Sequence, residues 1–332
     1  MIMKKVIILI IIGLAGNLFS QQTPQYSQYL RNQFMLNPGA AGVYDFTDIT
    51  LSGRWQWLGF GNKTEPMTAY ASFSTLLKNR VKLKYNPALR TSTLVPNPPV
   101  STGKLKHAVG GQLLVDQYGA FRRTNLAGTY SIHLPISDKY NISFGTRLGL
   151  SNNTFLSERA VVLNTVDPTQ SYTGGDAEYD AYTLNQGSKF ILDIGSGLYL
   201  YSDKLFFGIS ADHLSKDRIK FGSGTASFNT QLHYTILGGV KIPLNEKLTL
   251  IPAFLIKNMR PAPFSAEGTL IAEYKELMWF GLTYRHKDAV AGMFGMNLSD
   301  QWKIGYSYDY SISYAGNVGS GGHELVLGIM LR

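Results

Sequence analysis

Few residues in this sequence have the types and spacing that catalysis or metal binding requires. Cysteine is absent, which excludes a disulfide framework, a thiolate metal site and a cysteine nucleophile. The six histidines are scattered, with no H-x-x-x-H pair of the kind that binds zinc. Ser307, Asp309 and His323 could form the triad of a hydrolase, but only if the fold brought the three side chains together. No phosphate loop or dinucleotide-binding fingerprint is present, so neither a cofactor nor a metal is expected.

The first residues have the pattern of a secretory signal peptide. Lys4 and Lys5 precede an apolar run over residues 6–15, which is shorter than the roughly 20 residues that a spanning helix needs. Small residues then lead to Ser20, which predicts a signal peptide over residues 1–20 and export of the remaining chain. The alternative, an N-terminal membrane anchor, is disfavoured by the short apolar run. No later apolar run approaches spanning length, so the exported protein is either soluble or a β-barrel.

The composition also favours a barrel. Charged residues make up 16% of the 332 residues, against about 25% in typical soluble domains. Aromatic residues reach 12%, and there are 34 glycines. This balance fits strands with one lipid-facing side, and a soluble β-sandwich is the alternative. The net charge of +9 is not gathered into a basic cluster interleaved with aromatics, so a nucleic-acid partner is not expected.

Segments of about ten residues repeatedly alternate apolar and polar side chains, the pattern of a transmembrane β-barrel. Because successive side chains of a strand point to opposite faces, Arg54 and Gln56 are predicted to face the lumen, and Trp55 and Trp57 the lipid. The pattern predicts an all-β, antiparallel transmembrane barrel of about 14 strands over residues 46–332. The predicted strands are 46–57, 67–77, 107–118, 123–135, 139–151, 188–201, 205–214, 231–243, 247–259, 265–274, 277–286, 289–298, 302–310 and 325–331.

Charged residues on the lumen side suggest an internal network. Arg285, Asp309 and Glu324 lie on the polar faces of their own strands, as Arg54 and Gln56 do on theirs. Since a buried charge is costly unless it is paired, we expect these side chains to pack the N-terminal segment inside the barrel. The alternative is that they line water and interact weakly. Alternation along the strands places Asp309 on the lumen face and His323 on the lipid face. The two side chains therefore point apart, which disfavours a hydrolase.

Aromatic residues on the opposite parity are predicted to lie at the membrane interface, where rings with one polar end are favoured. Besides Trp55 and Trp57, this set contains Trp279, Tyr306 and Tyr308.

The links between strands differ in length. Short polar links at 137–139, 202–204 and 244–246 are predicted to face the periplasm. Long links at 78–106, 152–187 and 215–230 are predicted to face outward.

Residues 21–45 are not strand-like and form a separate N-terminal segment. Apolar residues from Tyr26 to Met35 are spaced as in a short amphipathic helix. The helix should end at Asn37-Pro38, since a residue before proline avoids helical geometry. Such a segment either plugs the lumen or faces the periplasm.

Ordered motifs give the chain a resemblance to the PorP/SprF family. The N-terminal motif consists of Tyr26, Ser27, Gln28, Tyr29, Asn37, Pro38 and Gly42. Arg54, Gln56 and Trp57, the stretch 193–199, the stretch 306–309 and the stretch 322–324 resemble later family motifs in the same order. Gly39 stands where alanine is commoner, and the segment 78–106 is longer than usual.

The resemblance implies a non-enzymatic outer-membrane protein of the type IX secretion and gliding system of Bacteroidetes. Its implied work is export or surface anchoring of adhesin-like proteins. The implied partners are periplasmic ring lipoproteins, peptidoglycan-linking proteins, the secreted adhesin and outer-membrane lipid. A diffusion porin or a hydrophobic-compound channel is the alternative function.

Overall fold

The computed structural model describes residues 24–58, 65–77, 103–160, 179–180, 183, 188–216, 218–221, 226–259, 264–313 and 321–331. The predicted signal peptide, 1–20, lies outside these residues, as does most of the links 78–106 and 152–187.

A closed antiparallel barrel dominates the described part of the chain. Its fourteen strands are β1 (Thr47–Gln56), β2 (Met67–Leu77), β3 (Lys106–Tyr118), β4 (Phe121–Pro135), β5 (Asn141–Phe155), β6 (Ser188–Tyr201), β7 (Leu205–Asp212), β10 (His233–Val240), β12 (Leu248–Met259), β13 (Ser265–Tyr274), β14 (Met278–Arg285), β15 (Ala289–Asn297), β16 (Trp302–Ser311) and β17 (Gly322–Leu331). β1 pairs with β17, and β10 pairs with both β7 and β12, which closes the ring. The predicted barrel of about 14 strands is therefore confirmed.

The described residues contain three further strands. β8 (Arg218–Phe221) and β9 (Ala226–Asn229) form a separate hairpin in the link between β7 and β10. β11 (Ile242–Pro243) belongs to the sheet of the barrel and pairs with β12 beyond the end of the β10–β12 ladder.

The barrel wall alternates buried and exposed side chains along its strands. In β1, Asp48, Thr50 and Arg54 are buried, whereas Leu51 and Trp55 are exposed. The exposed positions around the ring are mainly Leu, Ile, Val, Phe and Tyr, as expected where an outward face meets lipid. Within the described ranges, no helix has both the length and the apolarity needed to cross a bilayer.

Residues 24–46, which we call the plug, lie inside the lumen. Nearly all side chains from residue 26 to residue 43 are buried. The plug is hydrogen-bonded to strands on every side of the ring, namely β1, β2, β4, β5, β6, β7, β12, β13, β14, β16 and β17. The segment is therefore outside the barrel wall and enclosed by it.

The prediction of an amphipathic helix in this segment is wrong. Three single 3₁₀ turns take its place, at Tyr29–Arg31, Gln33–Met35 and Pro38–Ala40. Some backbone carbonyls of the plug accept from N–H groups within these turns, and others accept from side chains of the wall instead of from a continuous helical ladder. Arg147 donates to Phe34 O at 2.7 Å and Ser210 donates to Leu36 O at 2.6 Å. Because the wall supplies these donors, helical hydrogen bonds are not needed to satisfy the buried backbone.

The strand order corrects the predicted side of one long link. Successive links of an antiparallel barrel alternate between its two ends, whatever their length. The link from β2 to β3, residues 78–105, therefore leaves the same rim as the turns 136–140, 202–204, 241–247, 275–277 and 298–301. We call this the short-turn rim. The other two long links leave the opposite, long-loop rim.

Candidate functional site in the barrel lumen

Arg54 is the centre of a buried ion-pair cluster near the long-loop rim. It projects inward from β1, and its Nη2 lies 2.8 Å from Asp309 Oδ2 in β16. Its Nη1 lies 3.4 Å from Glu324 Oε2 in β17. All three residues are at most 3% exposed. Arg54 and Glu324 are also direct partners in the β1–β17 ladder, so the pairing of the first and last strands positions them.

Arg285 of β14 joins the same cluster. Its Nη1 lies 3.2 Å from Asp309 Oδ2, and its Nε lies 3.2 Å from Glu267 Oε1. Glu267 is in turn 3.6 Å from Lys257 Nζ. Arg54, Arg285 and Lys257 thus face Asp309, Glu324 and Glu267, and the buried charges balance. This balance matters because removing one member would leave an uncompensated buried charge.

Ser27 of the plug binds at the centre of this cluster. Its backbone N–H donates to Glu324 Oε2 at 2.7 Å, and its hydroxyl donates to Asp309 Oδ1 at 2.7 Å. The same hydroxyl accepts from Arg54 Nη1 at 2.9 Å. Hydrogen bonds to charged groups are stronger than neutral ones, so the cluster is a tether for the N-terminal end of the plug.

Gln56, predicted as part of the lumen network, lies outside this cluster. It ends β1 opposite Gly322 and is half-buried. Its backbone N–H bonds to Pro66 O at 3.0 Å.

Trp279, predicted as an interface aromatic, is inside the lumen, so that prediction is wrong. It is 4% exposed, and the Arg31 guanidinium lies over its ring at 4.1 Å. Its inward neighbours on β15 and β16 are Gly295 and Gly305, where a Cβ would collide with the indole. The outward side chains of β14 are Phe280, Leu282 and Tyr284. Trp279 and Arg285 lie six residues apart on β14, so their side chains point to the same face of the strand, which is the lumen face.

The other predicted interface aromatics lie on the outer face or at its edge. Trp55 and Tyr308 are exposed. Tyr306 is half-buried, and its hydroxyl lies 2.7 Å from His323 Nδ1 on the outer side of the wall. Trp57 follows the end of β1 at a positive φ and packs edge-on against Tyr118.

The hydrolase triad is not assembled in the structure. Ser307 and Asp309 point into the lumen, where Asp309 is bound by Arg54 and Arg285. His323 is on the outer face beside Tyr306. In the part of the chain that the structure describes, no group of three or more His, Asp or Glu residues could hold a metal ion.

The N-terminal motif residues contact the wall along the lumen. Tyr26 packs edge-on against Tyr70 with ring centres 5.3 Å apart, and Gln28 Nε2 donates to Glu324 O at 3.3 Å. Tyr29 is 1% exposed. Gly42 packs beside Ala108 and has a φ of 72°, a backbone conformation that residues other than glycine rarely adopt.

Pro38 packs against the inner wall at Gly145, where a Cβ would collide with the Pro38 carbonyl group. The motif therefore consists of residues whose shapes fit the inner surface of the wall.

A second polar cluster, not foreseen from the sequence, lies on the far side of the lumen. Asp193 of β6 accepts from Asn125 at 2.6 Å and from Arg123 at 3.1 Å, and lies 2.7 Å from His213 Nδ1. Lumen parity places Asn125 and Asp193 on the same face. His213 could not be assigned to the lumen from the sequence. It follows the end of β7 and has a φ of 60°, so the alternation of the strand does not determine where its side chain points.

These features define a class: an outer-membrane-type β-barrel whose lumen is filled by its own N-terminal segment. Residues 18–329 match the family described as Type IX secretion system membrane protein PorP/SprF. The chain therefore belongs to the PorP/SprF family. Family and fold together support location in the outer membrane.

Solved structures with similar folds are also outer-membrane barrels. The CymD monoaromatic hydrocarbon channel is 12% identical, with a TM-score of 0.49 over 90% of this chain and 91% of that chain. The P. putida toluene transporter TodX is 9% identical, with a TM-score of 0.46 over 89% and 92%. The translocator domain of the autotransporter NalP from Neisseria meningitidis is 10% identical, with a TM-score of 0.35 over 86% and 88%. Likeness at this level carries no argument about function. No curated protein matches the chain.

Proposed function

We propose that this protein is a plugged, non-conducting component of the type IX secretion and gliding machinery, which supports export or surface anchoring of adhesin-like proteins. It acts by holding other proteins at the outer membrane rather than by passing solutes or by catalysis. The observation that carries this proposal is the plug, which is bonded to strands around the whole ring.

The plug favours a structural role because its removal would be costly. Ser27 and Arg31 are held by buried carboxylates at 2.7–2.8 Å. Asn32 donates to Ser72 at 2.7 Å on another strand. A diffusion porin needs an open, wet lumen, whereas this lumen contains a compensated ion-pair cluster and a packed chain segment.

The short-turn rim is the proposed periplasmic face, because short turns face the periplasm in outer-membrane barrels. The basic, proline-rich stretch 78–105 begins and ends there. Periplasmic ring lipoproteins and peptidoglycan-linking proteins are the proposed partners on this side, and the adhesin is the proposed partner at the long-loop rim.

Conductance of the purified barrel in planar bilayers tests the plugged state. We expect no large steady conductance across a range of voltages. A large, steady conductance from the unaltered protein would contradict the proposal and favour the diffusion porin or hydrophobic-compound channel.

Deletion of the gene tests the role in secretion. We expect loss of the surface adhesin while general outer-membrane permeability to small antibiotics stays unchanged. An intact adhesin layer in the deletion strain would refute the role. Affinity purification of the detergent-extracted barrel should recover ring lipoproteins or peptidoglycan-linking proteins, and recovery of neither would remove the proposed partners.

A further inference from the structure

Asn37 lies where the plug crosses the seam between β6 and β7. Its amide Nδ2 donates to the carbonyl oxygen of Leu198 in β6 at 2.9 Å and to that of Ile209 in β7 at 3.1 Å. Its Oδ1 accepts from the Gly39 N–H at 2.8 Å. The residue is fully buried. One side chain of the plug therefore bonds the backbones of two neighbouring wall strands at once.

The seam that Asn37 crosses is the shortest ladder in the described barrel. β6 is paired with β5 along its whole length, from Ser188 to Tyr201. With β7 it is paired from Ser196 to Tyr201 only. Beyond that point β7 ends, and the link after it supplies single hydrogen bonds from Leu214 and Ser215. Inter-strand hydrogen bonds and cross-strand side-chain pairs hold neighbouring strands together. Because this seam has the fewest of them, its stability depends most on contacts with residues that are not part of the wall.

The inner wall is shaped to receive the Asn37 amide. Gly197 of β6 and Gly208 of β7 flank it, and a Cβ at either position would collide with the amide. Two plug carbonyls on either side of Asn37 in the sequence are also held by the wall, since Ser210 of β7 donates to Leu36 O at 2.6 Å and Ser143 of β5 donates to Gly39 O at 2.5 Å. The contact is thus a built one across three consecutive strands.

We infer that Asn37 is a positioning residue that clamps the β6–β7 seam, so that the plug is a structural member of the wall at this place. Withdrawal of the plug then loosens the β6–β7 ladder before any other ladder of the barrel. Plug occupancy and wall integrity are thereby coupled at a single seam, whichever protein the barrel serves.

Hydrogen exchange of the full-length barrel in detergent tests the clamp. Asn37→Ser keeps an oxygen that can accept from the Gly39 N–H but removes the Nδ2 donor. We expect amides of β6 and β7 within the paired stretch to exchange about thirtyfold faster, the factor for losing two buried hydrogen bonds of ordinary strength. Exchange in the β4–β5 ladder should stay unchanged.

Asn32→Ala is the matched control. Asn32 is also a buried asparagine of the plug, but its amide donates to the Ser72 side chain in β2, away from the seam. It should leave β6–β7 exchange unchanged. Equal acceleration by both variants, or acceleration spread over all strands in Asn37→Ser, would show general loosening and overturn the inference. Unchanged β6–β7 exchange in Asn37→Ser would overturn it as well.

A covalent staple gives a second readout. The chain has no cysteine, so Leu198→Cys with Ile209→Cys introduces one pair, at positions that face each other across the seam. The oxidised pair should return β6–β7 exchange in the Asn37→Ser background to the unsubstituted level, and reduction should reverse this. Failure of the oxidised pair to restore slow exchange would contradict a local role at the seam.

Discussion

The Ser27 hydroxyl donates to Asp309 at 2.7 Å and accepts from Arg54 at 2.9 Å, so one small side chain of the plug bridges an ion pair of the wall. In the sequence, Ser27 lies 282 positions from Asp309 and 27 positions from Arg54. This contact joins the first described residues of the chain to its last strands. It is the strongest reason to regard plug and barrel as one folded unit.

Replacement of Ser27 by alanine should therefore destabilise the plug. The variant loses two short hydrogen bonds to charged groups while the backbone bond to Glu324 remains, so a loss of about 3–6 kcal/mol in unfolding free energy is expected. Urea unfolding and the heat-modifiable mobility of the folded band on a gel measure it. Ser196→Ala, on the outward side of β6, is the control. Equal stability of the two variants would argue against the tether.

Arg54 should be coupled energetically to Glu324. Arg54→Met leaves Glu324 without its nearest counter-charge and is expected to cost about 3–5 kcal/mol. Glu324→Gln should cost less, because Arg54 still pairs with Asp309. The double variant should be about 1–3 kcal/mol more stable than the sum of the single losses predicts. Additive losses in urea unfolding would mean that the cluster is a set of weakly interacting charges.

Alternation along the strands was enough to predict the barrel and the lumen side of Arg54, Asp309 and Glu324. The pattern works in β1 and β16 because the large apolar residues of those strands lie on one face only. In β17 the lumen face also holds Val326 and Met330, and the outward face is marked by the row from Leu325 to Leu331. The pattern was misread at Trp279, where an apolar side chain sits on the lumen parity. Arg285 on the same strand already fixed that parity, so the error lay in reading an aromatic residue as lipid-facing by its type.

The shape of the plug could not be predicted in the same way. Its apolar spacing resembles that of a helix, yet the wall satisfies its backbone through residues such as Ser143, Arg147 and Ser210. Those donors come from strands more than 100 positions away, so no local pattern contains the information. The side of the 78–105 link was mispredicted from its length, although strand order alone determines it.

Trp279 and Trp55 should report opposite environments. Brominated lipids should quench the fluorescence of Trp55, which is 41% exposed on the outer face, and leave Trp279 in the lumen unquenched. Single-tryptophan variants, with the other three replaced by phenylalanine, separate the two signals. Quenching of Trp279 to the same degree as Trp55 would place its indole on the lipid side and contradict the structure.

Trp279 should also matter more for stability than Trp55. Trp279→Ala empties a packed site between the Arg31 guanidinium and two glycines, with an expected loss of about 3–5 kcal/mol. Trp55→Ala should cost less, because its ring is exposed on the outer face, where lipid would fill the space. Equal losses would count against a specific site for the indole.

Inner-wall glycines should be required for the plug to seat. Gly145 lies directly beneath the Pro38 carbonyl group, and a methyl group there would collide with plug backbone. Gly145→Ala should therefore destabilise the plugged barrel by about 1–3 kcal/mol, the usual cost of overpacking. The same variant should show conductance events in planar bilayers that the unaltered protein lacks, because a plug that cannot seat leaves part of the lumen open.

Gly128→Ala is the matched control for Gly145→Ala. Gly128 lies on the neighbouring strand β4 and faces outward, with open space where a Cβ would be. The methyl group there should be tolerated, or should stabilise slightly by restricting the unfolded chain, and conductance should stay at background. If Gly145→Ala matches Gly128→Ala in both stability and conductance, the close packing of Pro38 on the wall does not hold the plug. The plug would then be held by its polar contacts with the wall, such as those of Ser27, Arg31 and Asn37.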